Sequence, residues 1–589
     1  MIVPMKKIFL VVQEKDAMPA VETLRSVGLV HVAPVTEPSG PTLEESRRKV
    51  ELAQKALDIL SFQKKSDRQE DIDAWEKKAD EILDLTERKT RLENAINKRR
   101  GLISFWEPWG NFDVKDIKEL EARGIFVRPV EVLKENLGYI PDDVAVHTLQ
   151  AKRNVFRCVA VWRGRKEGLP FTILPLPSCG LKELKDEQAR DHRDIQQIQT
   201  QLNDAAKYAD RLKRALFNAG QDTDFAEVHT SGGQEGHFSF FQGFCPADRI
   251  EKLQETSRQA AWGLMVTDPD EDEPVPTLLR DPAWVEWVKP LFTWLNIFPG
   301  YREMDISLVF LVFFSLFFGI LIGDAGYGLV FLSLTAAAHF KLKKKIKDTR
   351  MFSLLYVLSA CAVGWGVLSG TYFGQEWLGQ YNVPALLPWI RDNQNFQSLC
   401  FLIGTIQLSL AHVWRGIRKM PSVTVVGEMG WLMVLWGMFF VANMLILGRE
   451  FPPAAKGLFL AGPLLVLFFT HPQKNILKTV GAGIAALLGN VVNMFTDIVS
   501  YIRLFAVSLA TVAVADAFNN AALGIGFDNI LAGLMTALIL VAGHIFNMTL
   551  GAMAILVHGL RLNVLEFSSH LSLEWKGFAY RPFQKAQES

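Results

Sequence analysis

The sequence predicts a membrane α-helical bundle of about eight spans with two long, tilted C-terminal helices. It is joined to an N-terminal cytoplasmic pair of α/β domains on a long antiparallel coiled coil. Three observations carry that expectation. Charge is split along the chain: 63 Lys+Arg balance 63 Asp+Glu over 589 residues, yet residues 301–589 hold only 20 and 14 of them, 34 of 126. Apolar runs of span length crowd that same half. Two stretches of the first half combine helical apolar spacing with dense charge. At this length, with 49% hydrophobic residues, the chain exceeds one ordinary domain.

The elements follow in order. Residues 7–12 read as a buried strand; the apolar run is short for a signal peptide, and Glu14 and Asp16 follow at once. Residues 17–27 read as a helix, and 29–32 as a second strand after Gly28. From 42 to 100 there is neither proline nor glycine, and Val50, Leu57, Ile72, Trp75, Ala79 and Ile82 supply an imperfect heptad. This predicts one helix over about 42–100. Residues 181–218 are cleaner: Ile195, Ile198, Leu202, Ala205, Ala209, Leu212 and Leu216 alternate spacings of three and four, a coiled-coil seam. At ~1.5 Å per residue the two helices would reach roughly 90 Å and 55 Å. Residues 155–162 and 238–244 read as strands, so residues 1–290 become an arm with small lobes at its ends. Asp268-Pro-Asp-Glu-Asp-Glu-Pro-Val-Pro276 closes it, because an acidic, proline-rich run cannot continue a helix. The five cysteines form no C-x-x-C pair and suggest neither zinc nor a disulfide framework.

Residues 291–589 form the predicted membrane domain with a short tail. Its spans are drawn at 305–322, 325–340, 351–373, 396–414, 430–448, 457–471, 484–518 and 529–562. The sixth is short of the ~20 residues a span needs. The last two exceed it, so they tilt or project. Basic residues crowd into 341–347, 415–419, 474–478 and 576–585, while the alternate loops offer only Arg391, Arg449 and Lys456. Eight spans place every basic loop on the side of the soluble half, which is then cytoplasmic together with the C-terminal tail.

Candidate chemistry lies in polar residues at membrane depth. Arg503 sits in an apolar helix with Val499, Ser500, Ala506 and Val507 one turn away, none able to neutralise it, and Asp497 on another face. An arginine there costs at least ~2.5–3.5 kcal/mol and usually marks an ion path. Its counter-charge must come from elsewhere, another subunit included. Arg561, with His558 one turn back and Glu566 five residues on, is the second such arginine. Asp324 reads as shaping a turn. His412 and Arg415 read equally as functional or as snorkelling to the interface, Asp516 and Asn519 equally as ion entry or plain interface, and His544 and Asn547 equally as functional or as interhelical hydrogen-bond partners.

Ser500-Tyr-Ile-Arg-Leu-Phe-Ala-Val-Ser-Leu-Ala510 closely resembles the signature helix of the membrane stator of V-type and A/V-type rotary ATPases, called subunit a, or subunit I in prokaryotes. His558-Gly-Leu-Arg-Leu-Asn-Val-Leu-Glu566, with Gly577-Phe-Ala-Tyr-Arg-Pro-Phe583, is similar to that family's final helix and tail. Phe317-Phe-Gly-Ile-Leu-Ile-Gly-Asp-Ala-Gly-Tyr-Gly328 is similar to its first hairpin. Val3-Pro-Met-Lys-Lys7, Gln242-Gly-Phe-Cys-Pro246 and Val275-Pro-Thr277 resemble its soluble half. The likeness spans the chain in order, and the length is nearer to prokaryotic members, which implies a prokaryotic plasma membrane.

The resemblance implies a stator that forms ion half-channels, with the proton as first expectation, against a rotating proteolipid ring. Arg503 would be the fixed charge that keeps each passing ring carboxylate ionised, and Arg561 would support it. Asp497, Ser500, Tyr501, Asp516, His544, His558 and Glu566 are candidates for lining the half-channels, which the motif does not assign individually. Implied partners are the ring, peripheral-stalk subunits, the central stalk and catalytic head, and the lipid bilayer; neither nucleic acid nor a cofactor is expected. The sequence departs from the family pattern at Thr511, where some members carry His, and in 547–557, where many carry an acid. No G-x-x-x-x-G-K-[ST] loop, H-E-x-x-H or nucleophile elbow is present, so ATP chemistry belongs to other subunits. A secondary transporter with a cytoplasmic regulatory domain would need two similar halves, which the sequence lacks. A purely structural tether leaves Arg503 unexplained.

Overall fold

The computed structural model describes residues 1–63, 70–71, 74–152, 154–164, 169–343, 346, 348–374, 385–470, 472 and 475–586. The chain divides into two compact units. One comprises Phe9–Gly243, Ser257–Leu264 and Phe583–Ser589, the other Met1–Ile8, Phe244–Thr256 and Met265–Pro582.

Strand β1, Met5–Gln13, buries its alternate positions Ile8, Leu10 and Val12. Helix α1, Ala17–Val27, ends at Gly28, whose φ of 63° is the left-handed value open to glycine. Strand β2 is His31–Ala33. The single helix expected over 42–100 is instead two, α2 (Pro41–Ser61) and α3 (Trp75–Trp106). Residues 64–69 and 72–73 between them, including Ile72 of the expected heptad, lie outside the described residues. Helix α2 ends at Ser61, and the next apolar side chain, Phe62, is exposed and so cannot hold a further turn to a neighbour. At its far end α3 continues past 100 because Ile103 and Trp106 bury with Trp109, Leu181 and Leu184.

Helix α4 (Val114–Ala122) leads into strands β3 (Ile125–Leu133), β4 (Ala145–Lys152), β5 (Val155–Arg163) and β6 (Thr172–Ile173). These pair antiparallel in the order β4-β5-β3-β6 over a core of Val130, Val132, Cys158, Ala160 and Trp162. The helix expected over 181–218 is also interrupted. Helix α5 (Leu181–Ala205) passes through a turn at Ala206–Tyr208 into α6, Ala209–Thr230. Of the expected seam, Ile198, Leu202, Ala205 and Leu212 are buried against Ala56, Leu60, Ala79 and Ile82. Lys89 bonds Gln199 while Arg99 bonds Asp191, so α3 and α5 run in opposite directions. Strand β7 (Gly233–Glu235), β8 (Phe238–Pro246), α7 (Ile250–Gln259) and β9 (Gly263–Thr267) follow. The second sheet has the order β2-β8-β1-β9, with β7 on β8.

After α8 (Lys289–Leu295), a helix stands at each stretch read as a span. These are α9 (Ser307–Ile322), α10 (Ala325–Leu342), α11 (Arg350–Ser369), α12 (Asn393–Lys419), α13 (Thr424–Leu447) and α14 (Pro453–Phe469). Next come α15 (Ile476–Ser500) and α16 (Ile502–Ile525), joined through Tyr501, then α17 (Ile530–Ala554). Helix α17 continues through π-helical turns at Ile555–Gly559 and Leu562–Phe567 into α18, Ser568–Leu571. The last two elements therefore outrun the expected 484–518 and 529–562. Among the described residues, five helical stretches are long and apolar enough to cross a membrane: Arg350–Ser369, Asn393–Lys419, Thr424–Leu447, Ile476–Ile525 and Ile530–Leu571. The chain is a multi-pass membrane protein. Helix α9 is apolar all round and buried on nearly every face, as a core helix must be. In contrast, the apolar stretch of Ile530–Leu571 is only 17% buried, against 56% for Thr424–Leu447. All five cysteines are free, and burial pushes the Cys245 thiol up to about 12.

Candidate functional site: paired arginines and a carboxylate–histidine chain

The site is built around Tyr501, the joint between α15 and α16. Its fully buried ring lies on Gly404 of α12, where an added Cβ would come within 2.5 Å of the ring. Its hydroxyl donates to Gln407 Oε1 at 2.9 Å, and Gln407 Nε2 donates to Asn563 Oδ1 at 2.9 Å. All three side chains are buried, so the chain of bonds pins α12, α16 and the end of the last helix together. With Tyr501 and Leu504 turned into the core, Arg503 falls on the rim, its side chain 25% exposed.

Arg503 Nη1 donates to Glu566 Oε1 at 3.1 Å, and Nη2 to Ser500 Oγ at 3.1 Å. Arg561 Nε reaches the same Glu566 oxygen at 3.3 Å. The expectation that Arg503 needs a counter-charge from elsewhere is met within this chain, by a residue 63 positions on. The π-helical turn explains how Arg561 shares it. Five residues apart on an α-helix, Arg561 and Glu566 would point to different faces; closure of i onto i+5 sets them over one another.

A second constellation continues from Asp497. Asp497 Oδ2 contacts His570 Nε2 at 3.0 Å, His570 Nδ1 contacts His412 Nε2 at 3.1 Å, and His412 Nδ1 contacts Glu428 Oε2 at 3.0 Å. Glu428 Oε1 accepts from Lys419 at 2.5 Å and pairs with Arg415 Nη2 at 3.3 Å, and Arg415 also donates to the His570 carbonyl. A cavity of about 310 Å³ opens beside it, lined by Arg415, Lys419, Asn490, Asn493, Asp497 and His570 among others. All four ring nitrogens of the two histidines are thus engaged, and two imidazoles bridge two carboxylates. His412 and Arg415 are bonded into this chain rather than snorkelling.

His570 and Glu428 fall outside the spans expected from the sequence, the last of which ends at 562 and the fifth of which begins at 430. Hydropathy stops a span at its first polar run, whereas paired charges let the helices begin at Thr424 and end at Leu571. A third cluster lies apart. Tyr327 Oη bonds His544 Nδ1 at 2.8 Å, and Asn547 Nδ2 donates to Tyr327 Oη and the Thr511 carbonyl. Asp324, buried, accepts from the backbone N–H of Tyr327 and Gly374, the turn-shaping role expected of it. Asp516 is exposed and accepts from Asn520 on its own helix. His558 is half-buried, one turn before Arg561.

No family model matches the chain. Curated relatives do. The V-type ATP synthase subunit I of Borreliella burgdorferi is 31% identical over a 627-residue alignment covering 100% of both chains. The V-type ATP synthase subunit I 1 of Treponema pallidum is 32% identical over 632 residues, covering 99% of this chain and 100% of its own. The A-type ATP synthase subunit I of Pyrococcus horikoshii is 26% identical over 80% of this chain and 70% of its own. The chain belongs to the subunit I family of V-type ATP synthases: it is a membrane subunit of a rotary ATPase rather than the catalytic one, with other subunits of that complex as its partners.

Proposed function

We propose that the chain is the stator that carries ions, with the proton first among them, past a rotating proteolipid ring. In this reading residues 291–589 cross the membrane eight times, and residues 1–290 form a coiled-coil arm that docks peripheral stalks on the cytoplasmic side. The observation that carries it is Arg503, an arginine on a membrane helix whose carboxylate partner is shared with a second arginine, Glu566 and Arg561 both lying on the largely unburied stretch Ile530–Leu571. Leu538, Ile545 and Val557 of that stretch are exposed and apolar, as a surface meeting other apolar helices in a bilayer requires. The chain Asp497–His570–His412–Glu428 is the conduit on the basic, cytoplasmic side, and the Tyr327–His544–Asn547 cluster is the corresponding polar site of the other half-channel.

Two measurements test this. Cysteines placed at Leu538, Ile545 and Val557 are expected to cross-link to the ring in the assembled complex; exclusively lipid adducts at all three would overturn the ring-facing assignment. His570→Phe keeps the bulk but removes both ring nitrogens from the chain. It is expected to slow ATP-driven proton uptake roughly tenfold or more while the complex stays assembled. Unchanged uptake would remove the chain from the path.

A further inference from the structure

Arg503 and Arg561 both take Glu566 Oε1, while Glu566 Oε2 is buried with no hydrogen-bond partner among the described residues. Glu566 is 5% exposed, Arg503 25% and Arg561 53%. The carboxylate is thus the fixed member and the arginines are the ones with room to move. We propose that Glu566 is the resting counter-ion of Arg503, a positioning residue that holds the guanidinium between encounters and yields it to each arriving ring carboxylate. This rests on reading Arg503 as the charge that faces the ring.

The physical case is one of balance. An arginine with no partner at membrane depth would grip the first carboxylate it met, and the rotor would stall in that well. Exchanging Glu566 for a ring carboxylate leaves Arg503 with the same kind of bond before and after, so neither state is a trap. Arg561 completes the exchange. Because Arg561 already pairs with the same oxygen, Glu566 keeps a cationic partner after Arg503 has left, and Oε2, which takes no hydrogen bond from the described residues, is an acceptor in reserve. That sharing depends on the π-helical turn Leu562–Phe567, which sets Arg561 over Glu566. Ser500, bonded to the other guanidinium nitrogen, keeps Arg503 oriented while its partner changes.

The test is ATP-driven ion uptake and passive leak in inverted vesicles carrying the whole complex, with assembly checked on the same membranes. Glu566→Gln preserves the shape and removes the charge. Uptake is expected to fall roughly tenfold, the scale of one charge-assisted hydrogen bond, with leak unchanged. Glu566→Asp, which keeps the charge, is expected to recover most of the rate. Wild-type uptake with Glu566→Gln overturns the proposal, and so does an equal loss in both variants, since shape alone would then explain it. Should Glu566→Gln fail to assemble, the double variant Arg503→Gln/Glu566→Gln decides. Regained assembly identifies the unpaired Arg503 as the fault, and continued failure overturns the proposal. If Arg503→Ala leaves uptake intact, the stator reading itself falls; loss with Arg503→Ala and none with Glu566→Gln sinks only the counter-ion role.

Discussion

Arg503→Ala is expected to bring ATP-driven ion uptake below about one hundredth of the wild-type rate, equivalent to ~2.7 kcal/mol of barrier, in a complex that still assembles. The argument runs from geometry. Arg503 presents one nitrogen to Glu566 and another to Ser500, so its charge is aimed as well as present. Alanine removes the only charge on the first turn of α16, and nothing remains there to keep a passing carboxylate ionised. Assembly is expected to survive because Glu566 retains Arg561, and because Tyr501 and Gln407, which hold the helices together, are untouched. Arg503→Lys is expected to fall between: a lysine keeps the charge but cannot bond two acceptors in fixed directions from a planar fork. Uptake of protons and of sodium, followed separately in inverted vesicles, checks both variants and identifies the ion. Near-normal transport of either ion by Arg503→Ala would leave the ion-path reading without its main support.

Glu428→Ala is expected to cost about 3–5 kcal/mol, the penalty for breaking a buried ion pair by removing one partner. Glu428 is 4% exposed and receives His412, Lys419 and Arg415. Lys419 and Arg415, 36% and 28% exposed, can turn partly toward water. His412 cannot: at 3% exposure it is fixed between Glu428 and His570. The loss therefore passes along the chain of bonds from α13 to α12 and on to α18. It should show as a sharply reduced yield of assembled complex and a lowered thermal midpoint in detergent. Glu428→Gln, which can still accept a hydrogen bond, is expected to lose less. Equal, wild-type-like stability of both would mean that the carboxylate is not what ties these helices.

Much of the architecture was legible in the chain. Alternation marked β1 and β5, and Gly28 marked the end of α1, because period and glycine report on local geometry. The apolar runs located each helix of the membrane half. Boundaries were less legible where polar residues pair across space. The fifth and last spans read short from the sequence, since hydropathy counts Glu428, Glu566 and His570 as water-facing, whereas each is buried against a partner. The long helices of the first half read as unbroken from the sequence, since the absence of proline and glycine permits a helix but does not supply the apolar stripe that holds one.

What the sequence by itself determined is that Arg503 stands in a membrane helix with no neutralising neighbour one turn away, a statement about spacing along one helix. What only the tertiary structure decided is which groups answer it. Glu566 lies 63 residues on, and a π-helical turn rather than sequence spacing lets Arg561 share its oxygen. In the same way His412 and His570, 158 residues apart, become neighbours only when α12 packs against α18. The reason is the range of the forces involved: backbone hydrogen bonding and apolar periodicity act within a turn or two of chain. Ion pairs are made by whatever packing brings within about 4 Å, and packing is a property of the whole fold.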